Sequence, residues 1–248
     1  IMTQRIALVT GGTGTIGTEI CRQLSAAGKR VAATCLPAEA DTANAWQEAQ
    51  KQAGYEFTVV PCDLADFDST AAAVKSVEQQ LGPVDVLVNV AGITRDASLR
   101  KMTPEQWDAV IRSNLDSVFN ATRNVIEGML DRGFGRVISI SSINGQKGQF
   151  GQSNYAASKA GMHGFTMSLA QEGARKNVTA NTVSPGYIES PMVNAVPEEV
   201  RKQIIAQIPR ARLGKPADIA RTVVFLAADE ADFITGANIP VNGGHYMS

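Results

Sequence analysis

Seven short runs rich in Val and Ile recur along the chain, and successive runs are separated by stretches long enough for a crossover helix. They span residues 6–10, 31–34, 57–60, 84–89, 137–141, 178–183 and 239–241. The apolar residues within them are continuous rather than alternating, the pattern of strands buried on both faces. Repeated strand–helix units of this kind predict an α/β fold, with a mostly parallel, doubly wound sheet of about seven strands covered by helices on both faces. Ile16, Ile20 and Leu24 recur every four residues and mark the first helix, which Gly28 ends. With 248 residues and no linker or composition shift, the chain is expected to form one domain over residues 2–248, starting naturally at Met2.

A formal net charge of -1 leaves no basic excess that would favour nucleic acid or a membrane surface. No apolar run approaches the ~20 residues of a membrane helix, and the first is too short for a signal peptide. The expected location is therefore the cytoplasm. Cys21, Cys35 and Cys62 are odd in number and lack metal-type spacing, which fits reduced thiols. Two histidines and no carboxylate cluster leave no expected metal site.

The first strand runs into Thr10-Gly11-Gly12-Thr13-Gly14-Thr15-Ile16-Gly17 at the head of the first helix. Glycines let the backbone approach a pyrophosphate, and the free N–H groups of a helix start bind its charge. A Rossmann-like dinucleotide site is expected here. The end of the second strand reads Thr34-Cys35-Leu36-Pro37-Ala38-Glu39-Ala40-Asp41, with two carboxylates and no cation. An acidic residue there suits the ribose hydroxyls of NADH, whereas the 2′-phosphate of NADPH wants a base. The expectation is NADH or NADPH, leaning to NADH, with Arg22, Lys29 and Arg30 as the bases that would reverse it if they reached round.

Tyr155 and Lys159 stand four residues apart, on one face of a helix. A free phenol has a pKa near ~10, too high for acid–base work at neutral pH. Lowering it by about three units takes roughly 4 kcal/mol of differential stabilisation. A neighbouring ammonium, helped by the positive ring of an oxidised nicotinamide, is the expected source. Ser142 ends a strand 13 residues before Tyr155 and is placed to hydrogen-bond a carbonyl oxygen beside the phenol.

With these motifs together, the chain resembles the short-chain dehydrogenase/reductase family over its whole length. Residues 10–17 match the family's glycine turn, and Asn89-Val90-Ala91-Gly92 matches its N-N-A-G segment. The resemblance implies a catalytic tetrad of Asn114, Ser142, Tyr155 and Lys159, with Asn114 holding a water that relays protons from Lys159. It implies cofactor contacts from Gly11, Thr13, Gly14, Thr15, Ile16, Gly17, Leu36, Asp63, Leu64, Val90, Ala91, Gly92, Pro185, Gly186 and Ile188, besides Tyr155 and Lys159. There are two departures. Thr15 replaces a motif glycine, so the turn is expected to tighten or re-route, and Val90 replaces the second Asn.

Further stretches, among them Asn144–Gln152 and Val183–Ile188, are similar to the branch that reduces acetoacetyl-CoA to (R)-3-hydroxybutyryl-CoA for polyhydroxybutyrate synthesis. That resemblance implies an acyl-CoA thioester substrate held by Asp96, Lys101, Ser142, Gln149, Phe150, Gln152, Tyr155 and Tyr187. Gln149 and Gln152 offer amide groups to the thioester and pantetheine, and Phe150 and Tyr187 offer flat walls. The basic residue that branch uses near CoA falls at about Pro197 here, which leaves Arg201 or Lys202 to meet the phosphates. The alternative is a 3-oxoacyl-(acyl-carrier-protein) reductase, for which Arg132, Arg136, Arg175 and Lys176 would have to form a basic entrance patch. A non-catalytic dinucleotide sensor is the alternative from another class, and the intact Ser142, Tyr155 and Lys159 argue against it.

Thr103 and Gln106 read as a capping box opening a helix whose apolar pattern continues to Met129, long enough that a kink is expected. Residues 189–212, with Pro191, Pro197 and Pro209, are expected to form a lid over the substrate. His163 reads as a packed or interface histidine, with a proton-relay role as the alternative. The family resemblance implies a homotetramer, helped by the small residues Ala156, Ala157, Ala160, Gly161 and Gly164.

Overall fold

The computed structural model describes residues 4–247, the side chain of Met192 excepted. Met2 and Ser248, the ends of the expected domain, lie outside the described residues. The apolar runs form the strands β1 (Ile6–Thr10), β2 (Arg30–Cys35), β3 (Phe57–Pro61), β4 (Val86–Asn89), β5 (Gly135–Ile140), β6 (Val178–Pro185) and β7 (Asn238–Val241). They make one parallel sheet in the order β3-β2-β1-β4-β5-β6-β7. The chain reverses its direction of travel between β1 and β4, so a crevice opens there at the carboxyl edge of the sheet.

The helices are α1 (Thr15–Ala26), α2 (Ala40–Gln52), α3 (Phe67–Leu81), α4 (Pro104–Ile111), α5 (Ser117–Arg132), α6 (Ile143–Lys147), α7 (Ser153–Gly173), α8 (Pro191–Asn194), α9 (Glu198–Ala206) and α10 (Pro216–Leu226). Alternate strand residues feed two cores, one on each face of the sheet. Leu8, Leu87 and Val137 pack with Val77 of α3, Met129 of α5 and Leu169 of α7. Val9, Val88 and Ile138 pack with Leu24 of α1 and Val223 of α10. Two-sided burial is why the strands lack polar alternation. Among the described residues no helix is long and apolar enough to cross a membrane.

The capping box at Thr103 forms as expected, with Gln106 N donating to Thr103 Oγ1 and Thr103 N donating to Gln106 Oε1. Between α4 and α5 the backbone forms a π-turn over Arg112–Asp116, with no proline or glycine in it. That turn carries Asn114, which is completely buried.

Arg136 also differs from its sequence reading. It is fully enclosed at the start of β5, where its guanidinium donates to the carbonyls of Gly135, Asn177, Ala228 and Asp229 and stacks on Phe134. Arg132 donates to the Val84 carbonyl near the same edge. These bases lie at the amino edge of the sheet, opposite the crevice, so Arg132, Arg136, Arg175 and Lys176 form no patch at its entrance. A buried guanidinium survives there because carbonyl oxygens accept hydrogen bonds from its N–H groups.

Candidate active site

The turn between β1 and α1 is shaped by close backbone contacts. Gly11 has φ +61°, and a Cβ on it would come within 2.9 Å of Ala91 Cα. A Cβ on Gly17 would strike the carbonyl oxygen of Gly11. Thr34 on β2 accepts from Gly11 N at 3.1 Å, and Thr10 accepts from Val90 N at 3.1 Å, which ties the turn to both neighbouring strands. Thr15 stands where the turn passes into the helix. It occupies the first position of α1, where the helical backbone tolerates a branched side chain, and Gly14 before it is extended.

A cleft of about 540 Å³ runs from this turn along the crevice. Gly11, Thr13, Gly14, Thr15, Ile16 and Gly17 line one end, and Val90, Ala91 and Gly92 line its floor. Leu36, Asp63 and Leu64 wall the far side. Glu39 also lines it, whereas Arg22 is turned to Gln50, Arg30 to the Leu81 carbonyl, and Lys29 lies in a surface hollow with Arg5 and Asp229. None of the three bases reaches the cleft wall. A glycine cradle against a helix start, with an open groove beyond, fits a dinucleotide. Thr34, Cys35, Cys62, Ser113 and Ser190 line this cleft too and were missed by motif reading. Position at a strand's carboxyl end was the available signal for Thr34 and Cys35.

A second cavity of about 340 Å³ adjoins the first through Ile16, Val90, Gly92, Ile93 and Ser190. Ser142, Tyr155 and Lys159 all face it, as do Gln152, Pro185, Gly186, Tyr187 and Ile188. Ser142 lies two residues past β5 and caps α6, its Oγ accepting from Asn144 N at 3.1 Å. Tyr155 is set by the start of α7, where its N–H donates to Asn154 Oδ1 and Asn154 in turn donates to the carbonyls of Arg95 and Gln106. Thr94, Asn144 and Val193 also line the wall, although none was named as a site residue from the sequence.

Burial shifts both the phenol and the ammonium. Burial raises the Tyr155 phenol above its ordinary value, the Ser142 hydrogen bond opposes this, and Asp96 adds to the rise. Lys159 follows Tyr155 by one turn of α7. Its Nζ lies 5.6 Å from the phenol ring centre and donates to the Ile140 carbonyl at 2.8 Å. Burial lowers the Lys159 ammonium to about 8.

Asn114 braces the cavity from behind. Its Oδ1 accepts from Ile93 N at 2.8 Å, and its Nδ2 donates to the Ile93 carbonyl and to Ser158 Oγ. A Cβ on Gly92 would lie 3.1 Å from Asn114 Oδ1 and 3.4 Å from Lys159 Nζ, so glycine keeps open the gap between amide and ammonium.

The expected substrate residues divide into two groups. Gln152 and Tyr187 line the cavity, and Gln152 donates to Asp96 Oδ2 at 2.8 Å while accepting from Asn144 Nδ2. Lys101, Gln149 and Phe150 lie outside its wall. Gln149 accepts from Lys147, and Phe150 is 89% exposed on the turn before α7. Phe150 is therefore not among the residues that line this cavity. Lys202 is neutralised by Glu198 and Glu199, each at 3.1 Å, and Arg201 donates to the Asn194 carbonyl.

A family profile described as short chain dehydrogenase matches residues 5–201. The chain belongs to the short-chain dehydrogenase family. Among curated relatives, this short-chain dehydrogenase is 56% identical to acetoacetyl-CoA reductase of Allochromatium vinosum, over 98% of this chain and 99% of that one. It is 54% identical to acetoacetyl-CoA reductase of Cupriavidus necator, over 99% of this chain and 100% of that one. Identity to the 3-oxoacyl-(acyl-carrier-protein) reductase of Staphylococcus aureus is 44%, over 97% and 98% of the two chains.

Proposed function

We propose that this short-chain dehydrogenase reduces acetoacetyl-CoA to (R)-3-hydroxybutyryl-CoA with a nicotinamide dinucleotide, in the cytoplasm, as a step toward polyhydroxybutyrate. The observation that carries the reading is the convergence of Ser142, Tyr155 and Lys159 on a cavity that opens into the glycine-lined cleft. The identity to acetoacetyl-CoA reductases supports the choice of thioester.

The turn at Gly11–Gly17 would hold the dinucleotide, Leu36, Asp63 and Leu64 would receive its adenosine, and Val90, Gly92, Pro185, Gly186 and Ile188 would receive its nicotinamide. When bound it supplies the hydride. Ser142 donates a hydrogen bond to the substrate carbonyl oxygen, which polarises the carbon. Tyr155 gives its proton to that oxygen. Lys159 replaces the proton on Tyr155, and the gap beside Gly92 admits the relay water between Lys159 and the Asn114 backbone. The Asn114 side chain is fully used on Ile93 and Ser158, so its part is to keep that gap in place.

NADH is the proposed donor, because Glu39 lies on the cleft wall where a 2′-phosphate would need a cation. Gln152 and Tyr187 hold the acetoacetyl end, with Asp96 orienting Gln152. Lys101, Gln149 and Phe150 are rim contacts for the pantetheine arm. Residues 189–212, carrying α8 and α9, close over it as a lid, with Ser190 and Val193 as its cavity-facing members. Exposed Phe119 of α5, paired with Phe67, and the open stripe of Ala157, Ala160 and Gly164 on α7 support assembly as a homotetramer through these helices.

Initial rates with acetoacetyl-CoA and with an acetoacetyl carrier-protein thioester test the assignment. Higher kcat/KM on the CoA substrate is expected. A carrier substrate preferred by about tenfold or more would make the chain a carrier-protein reductase instead.

A further inference from the structure

His163 is a half-buried titratable group that the reaction above leaves unused. It lies on α7, one turn beyond Lys159. Its Nε2 is 2.8 Å from Ser141 Oγ and 3.5 Å from Ser184 Oγ. Ser141 immediately precedes Ser142, and Ser184 immediately precedes Pro185 and Gly186. One imidazole therefore touches both strand ends that deliver residues to the cavity, from the helix that delivers the other two.

The hydrogens can be assigned by counting. A serine hydroxyl has one proton to give. Ser141 Oγ donates to the Lys159 carbonyl at 2.9 Å, and Ser184 Oγ donates to Asn238 Oδ1 at 2.7 Å. Both hydroxyl oxygens then have only lone pairs to offer the ring, so Nε2 must carry the hydrogen that they share. Burial keeps the ring's affinity for a second proton below that of an ordinary histidine.

We propose that His163 is a positioning residue which, as its Nε2–H tautomer, ties the ends of β5 and β6 to α7 and so sets Ser142 against Tyr155 and Lys159. The inference rests on reading those three as the reacting groups. Neighbouring contacts make the register consequential. Lys159 Nζ reaches the Ile140 carbonyl, and a Cβ on Gly145, just past Ser142, would come within 2.9 Å of the Lys159 backbone carbon. The serine turn and α7 thus touch directly, and a small slip between them moves the reacting groups apart. Misplacement of a reacting group by about 1 Å can cost on the order of a hundredfold in rate.

Two measurements test this. Long-range 1H–15N spectra of histidine-labelled wild-type protein, with the His163 signals assigned by their loss in His163→Gln, are expected to show hydrogen on Nε2 and a bare Nδ1. The opposite tautomer overturns the proposal. In kinetics, His163→Leu is expected to lower kcat for acetoacetyl-CoA about tenfold while the dinucleotide Kd stays within about threefold. His163→Gln, which keeps an N–H donor, is expected to recover most of the loss. Wild-type kcat in the Leu variant, or equally low kcat in both variants, overturns it. If His163→Leu does not fold, Ser184→Ala replaces it, with an expected kcat loss of about threefold and an unchanged kcat counting against the proposal. Wild-type protein inactive on every 3-oxoacyl thioester would defeat the functional reading, and the tautomer would still decide whether the clamp exists.

Discussion

Lys159 Nζ donates to the carbonyl oxygen of Ile140 at 2.8 Å, so the ammonium is anchored to the last residue of β5, two residues before Ser142. The anchor holds a charge in a buried place, and that charge has a pH signature. In the folded chain Lys159 gives up its proton at about 8, against an ordinary value of 10.5. The unfolded chain therefore binds more protons between those two values, and stability rises with pH across that window. Relative to Lys159→Met, the wild-type unfolding free energy is expected to rise by on the order of 3 kcal/mol from pH 8 to pH 10.5. Denaturant titrations of both proteins at several pH values measure this. A difference that does not change with pH contradicts the burial of the charge.

Asn114→Ala removes three hydrogen bonds at once and leaves Ile93 N–H and C=O without their partner. An unpaired buried backbone group costs about 1–3 kcal/mol. The variant is expected to lose stability by about 2–4 kcal/mol and to lose turnover as well, because Gly92 is no longer held against Lys159. Thermal unfolding and kcat measured on the same preparation check both parts. A variant of wild-type stability would show that the brace is dispensable.

Glu39 faces the cleft beside Leu36. Exchanging its carboxylate for a cation, as Glu39→Lys, is expected to raise kcat/KM for NADPH relative to NADH by about tenfold or more. Parallel initial rates with the two cofactors decide it. If wild type already prefers NADPH strongly, the reading of this wall is wrong.

Arg136→Met withdraws a guanidinium from the carbonyls of Gly135, Asn177, Ala228 and Asp229. The expected loss is about 3 kcal/mol of stability, with kcat of the folded enzyme little changed because the cluster sits at the far edge of the sheet. Unfolding midpoints and rates separate the two effects. A selective fall in rate on a carrier-protein thioester would instead place Arg136 in a docking surface.

Much of this architecture was legible in the residues because its causes are local or periodic. Short continuous apolar runs such as Val86–Asn89, repeated between helical stretches, read as strands covered on both faces, and a glycine turn before Ile16 and Ile20 can be placed without coordinates. The spacing of Tyr155 and Lys159 puts both on one helix face. What the spacing does not carry is where the long lysine side chain ends. Its Nζ is drawn to the Ile140 carbonyl by a contact between elements remote in sequence. The π-turn at Asn114 is similar: a kink is expected from helix length, but its type depends on how α4 and the turn itself pack on α7. Burial of Arg136 and exposure of Phe150 ran against the usual preferences of their residue types, and only tertiary neighbours explain them.

The proton donor is the centre of the reading, and Tyr155→Phe tests it with one atom removed. The variant keeps the ring packing beside Ser142 and the whole glycine cradle. Dinucleotide affinity, followed by fluorescence titration, is expected to stay within about threefold, while kcat for acetoacetyl-CoA falls by about a hundredfold or more. A phenylalanine variant that keeps a tenth or more of wild-type kcat, as a rough bound, would mean that the proton comes from another group.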